Sequence, residues 1–549
     1  MTGEAAFGTT VAGYTGTIPR LLDRAAGRDP DGIWLRTDEV ELTFAETAAA
    51  AGRAAAALGG AGVGPGDLVM LTARTTPEYL LGWLALARLG AVTVPVNPAS
   101  SEAELAGLIR QVEPPVVVTD PELEPVITAA LRQAWTRGRP ASEILHISDL
   151  VFSQPGPRRA AWPEPEVGPD DLAVLIPTSG TTGRSKLVMQ THRAYAMAAE
   201  GFPFWMGLDA RDRLMTSLPL FHINAPIYSV LGSLACGAGL VLLPRFSASG
   251  FLDAARRHGA TEFNAIGAML EILMRQPERP DDADNPLRLC YTGPAPERAR
   301  QAEIEHRFGI QIVVGYAMSE SPYGLIWPRG TRPFGTLGAV RQHPYLGTIN
   351  YAKVVAADGR ADRLADAGAA GKEPGLGPGE TGEILLRNPV ITPGYLGLPE
   401  ETAAVLTGDG WLRTGDLATV NADGTYTFAG RRKEVLRRRG ENLSPLEVEE
   451  VLDSHPGVLE SAVVGVASEL SEDEVKAFVV AAAGERIDLA ELHRYATTRL
   501  SAFKVPRFWQ LIDELPRTPT ARIAKHQLPA GHQPGEYDAR SVTGDTDPG

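Results

Sequence analysis

Along the first 430 residues the apolar pattern changes period again and again. FAETAAAAGRAAAALGGAG (44–62) carries small apolar residues at helical spacing and ends on glycines, so it predicts a helix with a glycine stop. DLVMLTA (67–73) is a short continuous apolar run, which predicts a buried strand. A helix follows over 78–89, then the strand-like AVTVPV. AGLVLLP, TEFNAIG and QIVVGYA are further short β-rich runs, separated by helical stretches such as GFLDAARRHGA. Strands alternating with helices predict α/β architecture with largely parallel sheets. The segment 356–382 is rich in Ala, Gly and Pro without a period and reads as a surface loop. From about 433 the pattern becomes a shorter unit. A helix covers SPLEVEEVLDSH, strands cover SAVVGVA and KAFVVAA, and a helix covers DLAELHRYATTRL. That order predicts a small α+β domain. The expected organisation is a large α/β domain over 1–432, a small mobile lid domain over 433–530, and a disordered polar tail over 531–549.

Composition narrows the function classes. The chain has 549 residues, 44% hydrophobic and 22% charged, which suits a globular protein of more than one domain. A formal net charge of −15 argues against a general nucleic-acid binder, which needs a basic face. Two cysteines, Cys236 and Cys290, make neither a disulfide framework nor a metal-ligand set, so both are expected to be buried structural thiols. The N-terminus lacks a basic region followed by an apolar run. The most apolar segment, Tyr79 to Val96, is broken by Arg88 and Pro95 and reads as a buried helix and strand. A soluble, cytoplasmic protein without a membrane partner is the expectation.

One stretch asks for a ligand. PTSGTTGRSK (177–186) comes directly after the strand-like LAVLI and contains nothing that could fill a core. Backbone N–H groups in a glycine-rich turn can form a nest for anions, hydroxyls add donors, and Lys186 adds a point charge. The stretch therefore reads as a phosphate cradle or as an ordinary flexible loop. It is not the G-x-x-x-x-G-K-[ST] motif, because Gly180 and Gly183 are too close and Leu187 comes next after the lysine.

Seven stretches downstream of the loop make it specific. SLPLFHINA (217–225), YTGPAP (291–296), GYAMSE (315–320), GETGEILLRNP (379–389), WLRTGD (411–416), GRRKEVLRRRGENLSP (430–445) and LPRTPTARIAK (515–525) come in that order. With the loop, this set resembles the adenylate-forming superfamily, which includes acyl-CoA synthetases, peptide-synthetase adenylation domains and beetle luciferases. The resemblance spans roughly residues 15–528. It implies an enzyme that makes an acyl-adenylate and pyrophosphate from a carboxylate and MgATP, and then passes the acyl group to a thiol, usually coenzyme A.

Residue by residue, the resemblance implies that Thr178, Ser179, Gly180, Thr181, Thr182, Gly183 and Lys186 hold the β- and γ-phosphates. Tyr316 is expected to stack on adenine beside the backbone of Gly293, Pro294, Ala295 and Pro296. Ser319 stands where a phosphate-touching threonine is usual, and Glu320 is the expected Mg²⁺ carboxylate. Asp416 is expected to accept the ribose hydroxyls, with Arg431 on ribose or phosphate. Lys433 matches the hinge about which the small domain turns. The arginines around it suggest a small phosphorylated ligand such as coenzyme A, or plain surface charge. Gly440 to Asn442 match the thiol-tunnel loop. His222, Asn224, Ala265, Gly267, Tyr291, Gly315, Ala317, Met318 and Tyr323 match the acyl pocket. Their mixture of aromatic and small side chains suggests an aryl or aryl-acrylic acid.

Three departures stand out. Ser185 and Leu187 replace a proline and a glycine in the loop. Ala317 replaces a common glycine and should narrow the pocket. Ala521 and Arg522 stand where the superfamily has a small residue and its adenylation lysine. Arginine keeps the charge with a different shape, and Lys525 lies three residues on, so either could carry that role. The reaction expected is an AMP-forming acid–CoA ligase. The alternative is an ATP-dependent diazotase that activates nitrite and delivers it to an aryl amine. A catalytically dead scaffold would have lost Glu320, Asp416 or Lys186, and all three are present.

Overall fold

The computed structural model describes residue 11 and residues 13–135, 142–152, 165–178, 185–293, 295–356, 375–432, 436–438, 441–443, 445–467, 473–500, 504–518, 523–529, 531 and 533–539. The chain divides into two compact units. The first comprises Met1–Ala352, Leu364–Lys372 and Leu385–Arg413, and the second Lys353–Arg363, Glu373–Ile384 and Thr414–Gly549.

The first unit is α/β, built on two sheets. In the nine-stranded sheet the central strands Gln311–Met318, Leu289–Thr292, Glu262–Asn264, Arg213–Thr216, Gly239–Leu242 and Ile33–Arg36 run parallel in that spatial order. Antiparallel strands close both edges: Ser321–Ile326 and Ala339–Val340 on one side, Glu41–Thr43 on the other. In the six-stranded sheet Glu143–His146, Val116–Thr119, Leu68–Thr72, Val92–Pro95 and Leu172–Thr178 are parallel. The last strand, Lys186–Thr191, turns back antiparallel along Leu172–Thr178.

Local chemistry explains the element ends. The helix Phe44–Gly60 begins in a capping box, with Thr43 accepting from the Glu46 amide and Glu46 reaching back to the Thr43 amide. Ser101 and Glu104 do the same for Glu102–Val112. The helices Phe251–His258 and Arg298–Phe308 end on Gly259 and Gly309 in the left-handed region, at φ 62° and 67°. Each of these glycines turns the chain into the next parallel strand. The apolar helix Pro77–Arg88 is buried on every side from Tyr79 onward, which explains its lack of a polar face. Its buried charge, Arg88, pairs with Asp23. Among the described residues no helix is long and apolar enough to cross a membrane. Cys290 is fully buried and Cys236 mostly so. Both are free thiols, and burial pushes Cys236 up to about 11 and Cys290 well above its ordinary value.

The second unit has its own core. The strands Val458–Ala467, Asp473–Ala481, Phe508–Leu511 and Tyr537–Asp538 form one sheet, with the helices Pro445–Asp453 and Leu489–Thr497. Val463, Val475, Ala477, Val479, Leu492, Ala496 and Trp509 make its apolar centre. The strands Leu412–Val420 and Tyr426–Arg431 pair antiparallel, so the division keeps Thr414–Arg432 with the C-terminal residues. Part of the segment expected as a disordered tail is ordered. Tyr537–Asp538 pairs with Phe508–Leu511, Arg507 binds Asp538, and the fully buried Lys476 ammonium reaches Glu536 at 2.5 Å and the Gly531 carbonyl at 3.1 Å. A buried lysine needs partners of this kind, and the residues from 531 onward supply them.

One core group in the first unit is out of balance. Glu262 is fully buried beside the Asp212–Arg288 ion pair, and neither carboxyl oxygen has a hydrogen-bond partner among the described residues. Burial first, and the Asp212 charge second, push its pKa well above the ordinary range. The folded chain therefore holds a proton there that the unfolded chain releases above about pH 4.3. Stability from this group is complete below that value and is lost as pH rises toward the folded pKa. Glu262→Gln should flatten this dependence. Thermal melts should show Tm little changed at pH 5 and raised by about 2–4 °C at pH 8.

Candidate active site

In the first unit, Leu172–Thr178 and Lys186–Thr191 form a hairpin with Thr178 opposite Lys186. The Thr178 hydroxyl donates to the Lys186 carbonyl at 3.3 Å, and the Gln111 amide donates to the Ser185 carbonyl at 3.1 Å. In sequence the glycine-rich stretch lies between these two strands. Ser179, Gly180, Thr181, Thr182 and Gly183 lie outside the described residues. The free edge of Lys186–Thr191 is held too. Met189 N donates to Gly394 O at 3.0 Å, and Leu396 N donates to Leu187 O at 3.0 Å. The Thr392 hydroxyl donates to Met189 O at 2.6 Å.

This second pairing brings in a residue that sequence reasoning missed. The Lys186 ammonium lies 4.6 Å from the centre of the Tyr395 ring, a cation–π contact. The Tyr395 hydroxyl donates to Glu320 Oε1 at 2.8 Å. Burial, and then the Glu320 charge, push the phenol pKa upward, so it stays a donor. A cation and a carboxylate are thus fixed around one phenol. Glu320 lies just beyond the strand Gln311–Met318. Its carbonyl accepts from Thr392 N at 2.8 Å, and the Ser319 carbonyl accepts from Gln190 Nε2 at 2.5 Å. The only sequence signal for Tyr395 was its place after Pro393-Gly394, which reads as a turn.

Lys186 and Glu320 suit a metal-bound polyphosphate. The lysine can meet phosphate oxygens, and the carboxylate offers the hard oxygen that magnesium prefers. The backbone nearby is bare as well. Gly293 is exposed just after the strand Leu289–Thr292, and a Cβ there would lie 2.6 Å from the Gly315 carbonyl. Only glycine permits that approach. Pro294 lies outside the described residues, and Ala295, Pro296 and Tyr316 are half-buried. Gly293 and Glu320 follow the C-terminal ends of parallel strands, and Lys186 pairs with Thr178 at the C-terminal end of another, where open α/β sheets bind ligands.

The residues matched to the acyl pocket divide into two sets. His222, Asn224, Gly267, Ala317 and Met318 are half-buried, while Ala265 and Gly315 are buried. Asn224 accepts from the buried Asn264 amide at 2.6 Å, just before the π-helical turn Ala225–Leu231. Tyr291 and Tyr323 belong to the core. Tyr323 is edge-on to Trp205 at 4.9 Å, and the Tyr291 hydroxyl accepts from Arg341 at 2.5 Å.

In the second unit Asp416 and Arg431 are register partners on adjacent strands, with Arg431 Nε 3.2 Å from Asp416 Oδ1. Asp416 is buried and Arg431 exposed. Glu383, from the GETGE stretch, supports them. It accepts from Gly415 N at 3.1 Å and lies 3.4 Å from Arg432 Nη1. Lys433, Gly440 and Arg522 lie outside the described residues, while Glu441 and Asn442 belong to the strand Glu441–Leu443. Lys525 opens a short 3₁₀ turn, and its ammonium pairs with the buried Glu449 at 2.7 Å. That acceptor also takes the Val463 amide at 2.6 Å.

Comparison with known proteins agrees with this layout. The AMP-binding enzyme family model matches residues 22–396, and the model of its C-terminal domain matches 447–522. A sulfoacetate–CoA ligase of Cupriavidus necator is 32% identical over 523 residues, covering 93% of this chain and 97% of that protein. A crotonobetaine/carnitine–CoA ligase of Salmonella enteritidis is 31% identical, covering 85% and 89%. The crystal structure of ATP-bound MatB from Rhodopseudomonas palustris superposes with a TM-score of 0.81 at 26% identity, covering 92% of this chain and 97% of the other. The chain belongs to the AMP-binding enzyme family, within the adenylate-forming superfamily.

Proposed function

We propose that this protein is an AMP-forming acid–CoA ligase. It activates a small carboxylic acid with MgATP, releases pyrophosphate and transfers the acyl group to coenzyme A. The observation that carries this reading is the Lys186–Tyr395–Glu320 cluster, whose lysine follows the glycine-rich stretch in sequence. The coenzyme A ligases among its relatives support the thiol acceptor.

Chemically, the acid's carboxylate attacks the α-phosphate and pyrophosphate leaves. Lys186 and the Ser179–Gly183 donors are assigned to the leaving group, where negative charge builds. Magnesium, when bound, neutralises phosphate charge, and Glu320 is the residue assigned to hold it. Tyr395 acts on Glu320 by fixing one carboxylate oxygen. Tyr316 and the Gly293–Pro296 backbone are assigned to adenine, Ser319 to phosphate, and Asp416 and Arg431 to the ribose. Lys433 is assigned to the hinge of a mobile small domain.

Arg522 is the better candidate for the adenylation cation, because the Lys525 ammonium is already paired with Glu449. Arg522→Ala should slow adenylate formation by about 10²–10³-fold, and Lys525→Ala by much less. The reverse ranking in single-turnover assays would transfer the role to Lys525.

Sequence alone favoured an aryl acid because the residues matched to the pocket, Tyr291 and Tyr323 among them, mix aromatic and small side chains. Both rings are committed to the core, so the substrate panel must include short aliphatic acids beside aryl and aryl-acrylic ones. Pyrophosphate release would be measured with each acid and coenzyme A, and products identified by mass. A parallel arm would contain nitrite and an aminoaryl acid without coenzyme A. A thioester is the expected product. A diazonium mass formed without coenzyme A would establish the diazotase alternative instead.

Tyr395→Phe keeps the ring beside Lys186 and removes the donor to Glu320. A hydrogen bond to a charged group contributes about 1.5–3 kcal/mol. Pyrophosphate release should therefore fall by roughly ten- to a hundredfold and need more magnesium for half-maximal rate. An unchanged magnesium titration would show that Tyr395 does not act through Glu320.

A further inference from the structure

Arg341 is fully buried, yet no carboxylate among the described residues forms an ion pair with it. Its Nε donates to the Leu325 carbonyl at 3.0 Å. Nη1 donates to the Tyr228 hydroxyl at 2.8 Å and to the Pro322 carbonyl at 3.2 Å. Nη2 donates to the Tyr291 hydroxyl at 2.5 Å. The guanidinium also faces the rings of Trp205, Tyr228 and Tyr291 at 4.8, 5.3 and 5.6 Å. Every partner is neutral. A guanidinium carries five N–H groups, so one Nη2 hydrogen is left without an acceptor among the described residues.

A buried charge without a counter-ion is costly. Here the guanidinium lies directly behind Gly315. A Cβ on Gly315 would be 2.6 Å from the Tyr291 hydroxyl and 2.7 Å from Arg341 Nη2. Gly315 leads along its strand into half-buried Tyr316, Ala317 and Met318, and then to Glu320. The positive charge is therefore separated from the strand that carries the candidate site by a glycine alone. It acts there through its field, since the group itself is covered. Through protein interior such a field favours a negative group more than the same charge does through water.

Resting on the acid-ligase reading, we infer that Arg341 makes this enzyme selective for short carboxylic acids that carry a second anionic group. Tyr228 and Tyr291 hold the guanidinium in place and close the space behind Gly315, so the acid must be short. The second anion supplies the counter-charge that the chain withholds. Arg341 is thus a specificity-determining residue, not one that touches the reacting atoms.

The test compares malonate and succinate with butyrate and 4-aminobutyrate in the MgATP-dependent pyrophosphate assay, and measures binding of the same acids by calorimetry without ATP. In the unaltered protein kcat/KM for a dianion should exceed that for butyrate by about tenfold or more, with 4-aminobutyrate lowest. Arg341→Met should erase the difference by lowering the dianion values and sparing butyrate. Tyr291→Phe, which keeps the charge and loosens its tether, should reduce the preference in part, and it serves where Arg341→Met does not fold. Butyrate equal to or better than succinate overturns the inference, as does a preference that survives in folded Arg341→Met. If no acid releases pyrophosphate the ligase reading fails. Calorimetry then decides this inference separately: Arg341-dependent binding of dianions alone upholds it, and equal or absent binding of all four acids overturns it.

Discussion

A strand must be fixed along both edges before the residue at its end has a defined position, and Lys186–Thr191 meets that condition from two distant parts of the chain. One edge pairs with Leu172–Thr178. The other is held by Gly394 and Leu396, about two hundred residues later in the sequence. Because the second partner carries Tyr395, the act of pinning the strand also brings the phenol to Lys186 and Glu320. Structural support and site chemistry share the same few hydrogen bonds. The long stretch between the hairpin and Tyr395 builds most of the nine-stranded sheet, whose strand Gln311–Met318 delivers Glu320 from the other direction.

Most of the architecture was legible in the sequence, for a physical reason. Buried parallel strands read as continuous apolar runs between glycine-stopped helices, and that pattern marked Leu68–Thr72, Gly239–Leu242 and Gln311–Met318 within a residue or two. The order of motifs gave the family. Isolated residues whose meaning comes only from contact were not legible. Tyr395, six residues past the GETGEILLRNP stretch, and Arg341, in GAVRQHP, stand in no motif at all. Its four acceptors come from Tyr228, Tyr291, Pro322 and Leu325, which no local pattern connects. Tyr291 and Tyr323 show a different limit of the sequence. They were matched to the pocket by resemblance, and the structure buries both rings, a packing that no local pattern foretells.

The departure at Ala521-Arg522 looks less disruptive beside the packing of the second unit. Ala524 is buried, its amide donates to Pro516 O at 2.7 Å, and Ile523 bridges to Arg517. Lys525 is drawn to Glu449, itself anchored by the Val463 amide. These contacts fix the chain on both sides of residues 519–522, so a change of side chain there leaves the flanking path in place.

The Lys476 anchor has a practical meaning for anyone handling this protein. Trimming the polar-looking C-terminus at 531 would remove Glu536 and the edge strand Tyr537–Asp538, and would strand an ammonium in the interior of the second unit. Breaking a buried ion pair on one side costs about 3–5 kcal/mol, a large share of the stability of a domain this size. Such a shortened protein would arrive with its smaller unit half-melted, and an assay on it would mistake a damaged fold for an inactive enzyme.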